Sequence, residues 1–145
     1  MSTNKFLSPE EEAQVVQAIK AAEHQTSGEI RIHIESVCKG DVLDRVAWLF
    51  RLLKMNKTEH RNGTLIYLST SDRKFAIIGD AGINAIVPEG FWNDVKDLMI
   101  SNFAKGDLLQ GFVLGIARVG EKLKEFFPYQ EDDVNELPDE ISYGK

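Results

Sequence analysis

The sequence predicts a three-layer α/β/α sandwich built on a small mixed sheet. Three observations carry this. The apolar pattern alternates between helical and strand periods in the order αβαββαα. Two of the three strand segments are near-continuous apolar runs, as expected of central strands covered on both faces. The helices are numerous enough to supply both covers. A chain of 145 residues suits one domain with a real hydrophobic core.

Each element has a local reason. Ser8-Pro9-Glu10-Glu11 is a helix start: Ser8 caps, Pro9 takes the first helical position and Glu11 completes a capping box. Val15, Val16, Ile19 and Ala22 then share a face, so a helix covers 9–25 until Thr26-Ser27-Gly28 breaks it. Ile30, Ile32 and Ile34 alternate with Arg31, His33 and Glu35, the pattern of a half-buried strand with one polar face. Lys39-Gly40 turns the chain and Asp41 opens a second helix, with Val42, Val46, Leu49, Phe50 and Leu53 at helical spacing. After the Arg61-Asn62-Gly63 turn, residues 64–68 and 74–78 read as strands joined by a hairpin loop at 70–73. Gly79-Asp80-Ala81-Gly82 ends the third strand. A third helix is expected from Pro88 to Phe103, and a fourth from Leu108 to Phe127 after Gly106-Asp107. Gly111 and Gly115, four apart in that last helix, suit close helix packing. Trp48 and Trp92 fall on apolar helix faces and are expected in the core.

The formal charge is −6, with a pI near 5.1. It is unevenly placed. Residues 128–145 carry six carboxylates against Lys145, whereas 1–127 stand at only −1. The expected organisation is therefore one domain over 1–127 and an acidic, extended or disordered tail over 128–145. An acidic chain lacks the clustered Lys and Arg of a nucleic-acid binder. The start of the chain shows no apolar signal core. The longest charge-free apolar stretch, Leu108 to Ala117, is too short to span a bilayer, which needs about 20 residues. A cytoplasmic location is expected.

Motifs for nucleotide loops, nucleophile elbows and zinc sites are absent: there is no G-x-x-x-x-G-K, no G-x-G-x-x-G, no G-x-S-x-G, no H-E-x-x-H and no C-x-x-C. The lone Cys38 is expected to be a buried small hydrophobe. Oxygen ligands remain. Asp41 and Asp44 flank the first turn of the second helix, Asp80 follows the third strand and Asp107 precedes the fourth helix. Each has an ordinary role as cap, turn residue or dipole partner. If the third strand runs parallel to the first, Asp80 leaves the sheet at the same edge as Asp41 and Asp44, where open α/β sheets bind ligands. Carboxylates meeting there would need a cation between them, and hard oxygen donors favour Ca²⁺ or Mg²⁺. Glu59, Asn62, Asp72 and Asn84 are further oxygen donors.

Four blocks carry a family resemblance: Thr26–Arg31, Asp44 to Phe50, Arg61–Tyr67 and Phe75–Ile83, the last reading FAIIGDAGI. Ordered and spaced as they are, they resemble the TPM domain family, over about residues 6–127. The family includes a thylakoid-lumen acid phosphatase and a photosystem II repair protein. The resemblance implies a three-layer α/β/α fold, phosphatase activity in some members, and metal binding near the loop aspartates in some. It singles out Asp80 and Asp44; Asp41 and Asp107 lie in loops where members differ. Many bacterial members carry a leader and a membrane helix or Gly-rich tail. Here the expectation is a stand-alone bacterial domain, with an ending, DDVNELP, like that of a stand-alone subgroup.

Three functions from different classes follow. The first is a regulatory or adaptor domain binding a divalent cation, Ca²⁺ or Mg²⁺, through Asp44 and Asp80 with Asp41 and Asp107. The second is a metal-assisted phosphomonoesterase with Asp80 or Asp44 as the catalytic carboxylate and Arg61 or Arg73 against the phosphate. The third is a protein-interaction module whose acidic tail docks on a partner or folds back on the domain.

Overall fold

The computed structural model describes residues 7–58, 60–129 and 137–144. Its elements are α1 (Pro9–Glu23), β1 (Glu29–Glu35), α2 (Val42–Leu52), a 3₁₀ turn (Met55–Lys57), β2 (Gly63–Ser69), β3 (Lys74–Gly79), α3 (Ala81–Asn84), α4 (Asn93–Ala104), α5 (Leu108–Phe126) and β4 (Ser142–Tyr143). The sheet order is β3-β2-β1-β4. β1 runs parallel to both β2 and β4, and β2 pairs antiparallel with β3. The sheet is mixed, with helices on both faces.

The helix starts follow their capping chemistry. Ser8 and Glu11 exchange backbone-to-side-chain hydrogen bonds at 2.9 and 3.1 Å, a complete capping box. One face of the sheet packs Ile30, Ile32, Ile34, Ile66 and Ile77 against α1, α4 and α5. The other packs Leu65, Tyr67 and Ala76 against Val46, Leu49 and Phe50 of α2. Alternate residues of β2 therefore enter two different cores, and all seven are buried. Gly111 and Gly115 let α4 lie close: a Cβ at either would strike Phe103 or Met99.

Four expectations are corrected. The polar face of β1 is covered rather than half-buried, because α2 lies over it: His33 and Glu35 are 3% and 1% exposed. The helix expected from Pro88 begins at Asn93. Gly90 has φ +74°, a left-handed conformation that ends a turn and interrupts a helix. Asp80 does not merely end a strand but caps the single turn of α3. Trp48 is 47% exposed beside Leu43 and Leu52 on the outer side of α2, since only Val46, Leu49 and Phe50 of that helix are buried. Trp92 does lie in the core.

The tail also differs from a free appendage. Glu131, Asp132, Asp133 and Glu136 lie outside the described residues. Beyond them Leu137 and Ile141 are buried, and Ser142 and Tyr143 add a strand beside β1. Gly144 donates its N–H to the Ile34 carbonyl at 2.9 Å, and Tyr143 donates its hydroxyl to Glu12 at 2.8 Å. Residues 137–144 are thus a strap that completes the sheet. Charge composition misjudges them because the apolar Leu137 and Ile141 sit among carboxylates.

The strap lies over a buried carboxyl, that of Glu23, with Asp139 close by. Glu23 accepts the Ile30 N–H at 3.1 Å. Burial, then a hydrogen bond to Asp139, push its carboxyl up to about 9. At neutral pH the folded chain holds a proton there that an unfolded Glu would release, so this contribution is full below pH 4.5 and fades as pH climbs toward about 9. Glu23→Gln has no such proton to lose. Thermal melts should show its stability gaining on the native chain between pH 5 and 9, with the gap closing in acid. Ile141→Ala should cost about 2–3 kcal/mol in denaturant unfolding, the penalty of emptying a buried aliphatic site.

Candidate functional site

The hairpin decides where the aspartates fall. Because β3 runs antiparallel to β2, it runs antiparallel to β1 as well. Asp80 therefore leaves the sheet where β1 and β2 begin, with its N–H on the Gly63 carbonyl at 2.9 Å. Asp41 and Asp44 follow the other end of β1. The convergence that parallel strands would have produced does not occur. Asp80 is buried and faces Arg61 in a two-pronged ion pair, at 2.7 and 2.8 Å, while also accepting the Ala81 N–H at 2.8 Å. That pairing engages both the carboxylate and the guanidinium that ester hydrolysis would need free. Asp107 caps α5 by accepting the Gln110 N–H at 3.0 Å. Its neighbours Gly106 and Leu108 lie near Thr70 and Arg73 of the β2–β3 turn. Asp107 is thus at the same end as Asp41 and Asp44 but across the sheet from α2. Asp41 caps α2 on the Asp44 N–H at 3.2 Å, and both aspartates are exposed. Among the described residues no group of three or more His, Cys, Asp or Glu side chains is placed to hold a metal.

The oxygen atoms that do gather belong largely to the backbone of the loop after β1. Lys74 Nζ donates to the carbonyls of Cys38 at 3.2 Å and Gly40 at 2.9 Å, with Asp72 Oδ2 at 3.9 Å. Asp72 pins the loop by accepting the Cys38 N–H at 3.0 Å and the Ser69 hydroxyl. The Ser69 hydroxyl first, with the Cys38 amide and Lys74, holds Asp72 below the usual carboxylate range. Two strand-to-loop bonds, Thr70 N–H to Glu35 O at 2.9 Å and Ser71 N–H to Ser36 O at 2.8 Å, tie the hairpin turn to the same loop. One positive charge, that of Lys74, thus already sits among two carbonyls and a carboxylate, and Gly40, which supplies one of the carbonyls, is next in chain to Asp41.

Beneath this loop lies a buried polar network. Arg45 reaches Glu35 with two N–H groups, at 2.6 and 2.9 Å. Tyr67 donates its hydroxyl to the same carboxylate, and His33 Nε2 lies 3.2 Å from it. His33 Nδ1 meets Ser142 Oγ of the strap at 2.9 Å. The register sets this up: His33 sits opposite Tyr67, and their rings stack 5.9 Å apart. Burial alone would push Glu35 up, but the bonds from Arg45, Tyr67 and His33 outweigh it and hold the carboxyl below its ordinary value. Burial lowers His33, against the pull of Glu35. It raises Tyr67, as does the adjacent carboxylate. Cys38 is buried, as expected of a small hydrophobe.

Sequence reasoning reads His33 only as part of a strand's polar face and Cys38 as a buried small hydrophobe, and it misses Glu35, Tyr67, Arg45 and Lys74. The available signal was three polar residues at strand spacing, at 31, 33 and 35, facing a segment with a tyrosine. The depressed Glu35 contributes stability above its ordinary pKa that is lost as pH falls through the folded value. Arg45→Ala should therefore cost about 2–3 kcal/mol at neutral pH, by leaving a buried carboxylate half-paired. It should also move the onset of acid unfolding to higher pH. Tyr67→Phe should cost about 1 kcal/mol. Urea melts across pH 3–7 read both effects.

Comparison with known proteins places this arrangement. A family model described as the TPM domain matches residues 1–122. The fold is shared with the BA42 protein of the psychrophilic bacterium Bizionia argentinensis, with a TM-score of 0.93, 43% identity and 99% of each chain covered. The N-terminal domain of a P. gingivalis protein superposes with a TM-score of 0.71 at 20% identity, over 88% of this chain and 83% of that one. The N-terminal domain of the cg2496 protein of Corynebacterium glutamicum does so at 0.62 and 14%, over 96% and 80%. Among curated proteins no match is found. The chain belongs to the TPM domain family.

Proposed function

We propose that this TPM domain binds a divalent cation, Ca²⁺ or Mg²⁺, at the loop after β1, and that binding stiffens the loop for a regulatory or adaptor role. One observation carries the reading: the loop turns the Cys38 and Gly40 carbonyls onto a single cationic group beside Asp72. Backbone carbonyls with carboxylates are the donor set of Ca²⁺ sites. Asp41 and Asp72 are the nearest carboxylates along the chain and across the loop, and Asp44 stands one helical turn on. Asp80 and Asp107 take no part, since each lies elsewhere in the fold. A bound ion would tie the loop to the hairpin turn more firmly than the Lys74 ammonium does, because it carries twice the charge. Phosphomonoester hydrolysis through Asp80 and Arg61 would require that ion pair to part, which leaves Asp44 and Arg73 for that reading.

In this reading Lys74 competes with the ion. Lys74→Met should therefore tighten Ca²⁺ binding several-fold, whereas Asp41→Asn and Asp72→Asn should each weaken it about tenfold or more. The measurement is a Ca²⁺ and Mg²⁺ titration of metal-free protein followed by backbone NMR. Shifts should centre on residues 37–45 and 70–74, with a higher melting temperature in excess Ca²⁺. Unchanged spectra, or shifts centred elsewhere, would overturn it.

A further inference from the structure

The opposite end of α2 holds a second feature, which does not rest on the cation reading. A cavity of about 450 Å³ opens between the end of α2, the start of β1 and the strap, within the size range of small-ligand sites. Arg31, Lys54 and Lys57 line it together with Leu52, Leu53 and Leu137. Among the described residues none of the three cations forms an ion pair. Arg31 Nε is buried and has no hydrogen-bond partner. Arg31 lines the cavity as a third cation beside two lysines, and an anion seated there would meet all three. Glu140 lies near enough to favour the charged Arg31, but no ion pair within 4 Å joins them. Burial, working against that charge, lowers the Arg31 pKa. Leu52, Leu53 and Leu137 give the same cavity an apolar wall.

We infer that this cavity is a binding site for the anionic head of an amphiphilic molecule, a phosphate monoester or phosphodiester with an apolar body. Arg31 supplies a directional guanidinium fork, Lys54 and Lys57 supply exposed charge, and the leucines cover the first carbons of the apolar chain. Such a head is presented either by a free organic phosphate or by an anionic lipid.

The test uses the full chain, with hexyl phosphate and inorganic phosphate as free probes in an NMR titration. Hexyl phosphate should shift the Arg31 Nε–H and the Lys54, Lys57 and Thr58 amides saturably. It should bind about tenfold tighter than inorganic phosphate, because buried methylenes each add to affinity. The double variant Lys54→Gln, Lys57→Gln should bind about tenfold more weakly. Lys96→Gln with Lys105→Gln, which removes the same charge elsewhere, should bind as the native chain does. A second arm sediments the protein with phosphatidylglycerol or phosphatidylcholine vesicles. Co-sedimentation with the former alone, lost in the first double variant, identifies the lipid source; hexyl phosphate binding without co-sedimentation identifies the free one. Failure of both probes, shifts mapping outside the cavity, or equal losses in the two double variants would overturn the proposal. None of these outcomes depends on the loop at the other end of α2.

Discussion

The constraint on which the rest depends is the burial of the Glu35 carboxylate at the end of β1. A charged carboxylate that is 1% exposed survives only if its oxygen atoms are filled. Four elements supply what it needs. α2 sends Arg45, β2 sends Tyr67, β1 itself sends His33, and the strap holds His33 in place through Ser142. The same residue's backbone carbonyl takes Thr70 of the hairpin turn. Sheet, outer helix, hairpin and strap are thus all referred to one residue, Glu35. The loop after β1 leaves from this fixed point, which is why its carbonyls can be aimed at all.

Strand direction is the second constraint, and it separates what the sequence discloses from what it hides. The capping box at Ser8 and Glu11, the alternation of β1, the hairpin at 70–73 and the glycines of α5 are local patterns, and each has its physical counterpart in the fold. The four blocks that resemble the TPM family also identify the fold correctly, and the family model agrees. The site is different. Whether Asp80 meets Asp41 depends on the relative direction of β1 and β3, which no local pattern states. The hairpin itself held the answer: a tight link forces β3 back against β2, and β1 parallel to β2 then sends Asp80 to the far edge. Glu35 was hidden for another reason. A polar residue at strand spacing reads as solvent-facing until something is known to lie over it, and the covers here come from α2 and from a strap more than a hundred residues away in the chain.

The tail shows the same limit in composition arguments. Of the formal −6, most lies after residue 127, and charge density of that kind marks a chain too polar to bury itself. Yet Leu137, Ile141 and two backbone-paired residues are enough to dock the last stretch, because β1 would otherwise present an open edge. Docking also changes the chemistry of its acids. Asp139 lies beside Glu23, and burial together with that neighbour raises the Glu23 carboxyl, so the acid it faces is held neutral at ordinary pH.

α2 finally raises the question of what exceeds ordinary helix electrostatics. Acids at its start and lysines at its end complement the helix dipole and need no ligand to explain them. Two observations are not explained that way. The dipole does not require a buried Arg31 N–H without an acceptor, since Arg31 belongs to the sheet and not to the helix. Nor does it turn two carbonyls outside the helix onto one ammonium. These groups come from β1, from its loop and from β3, and they are assembled at the two ends of α2 by the register of the sheet. The helix provides the rough sign of each end; the sheet provides the specific donors and acceptors.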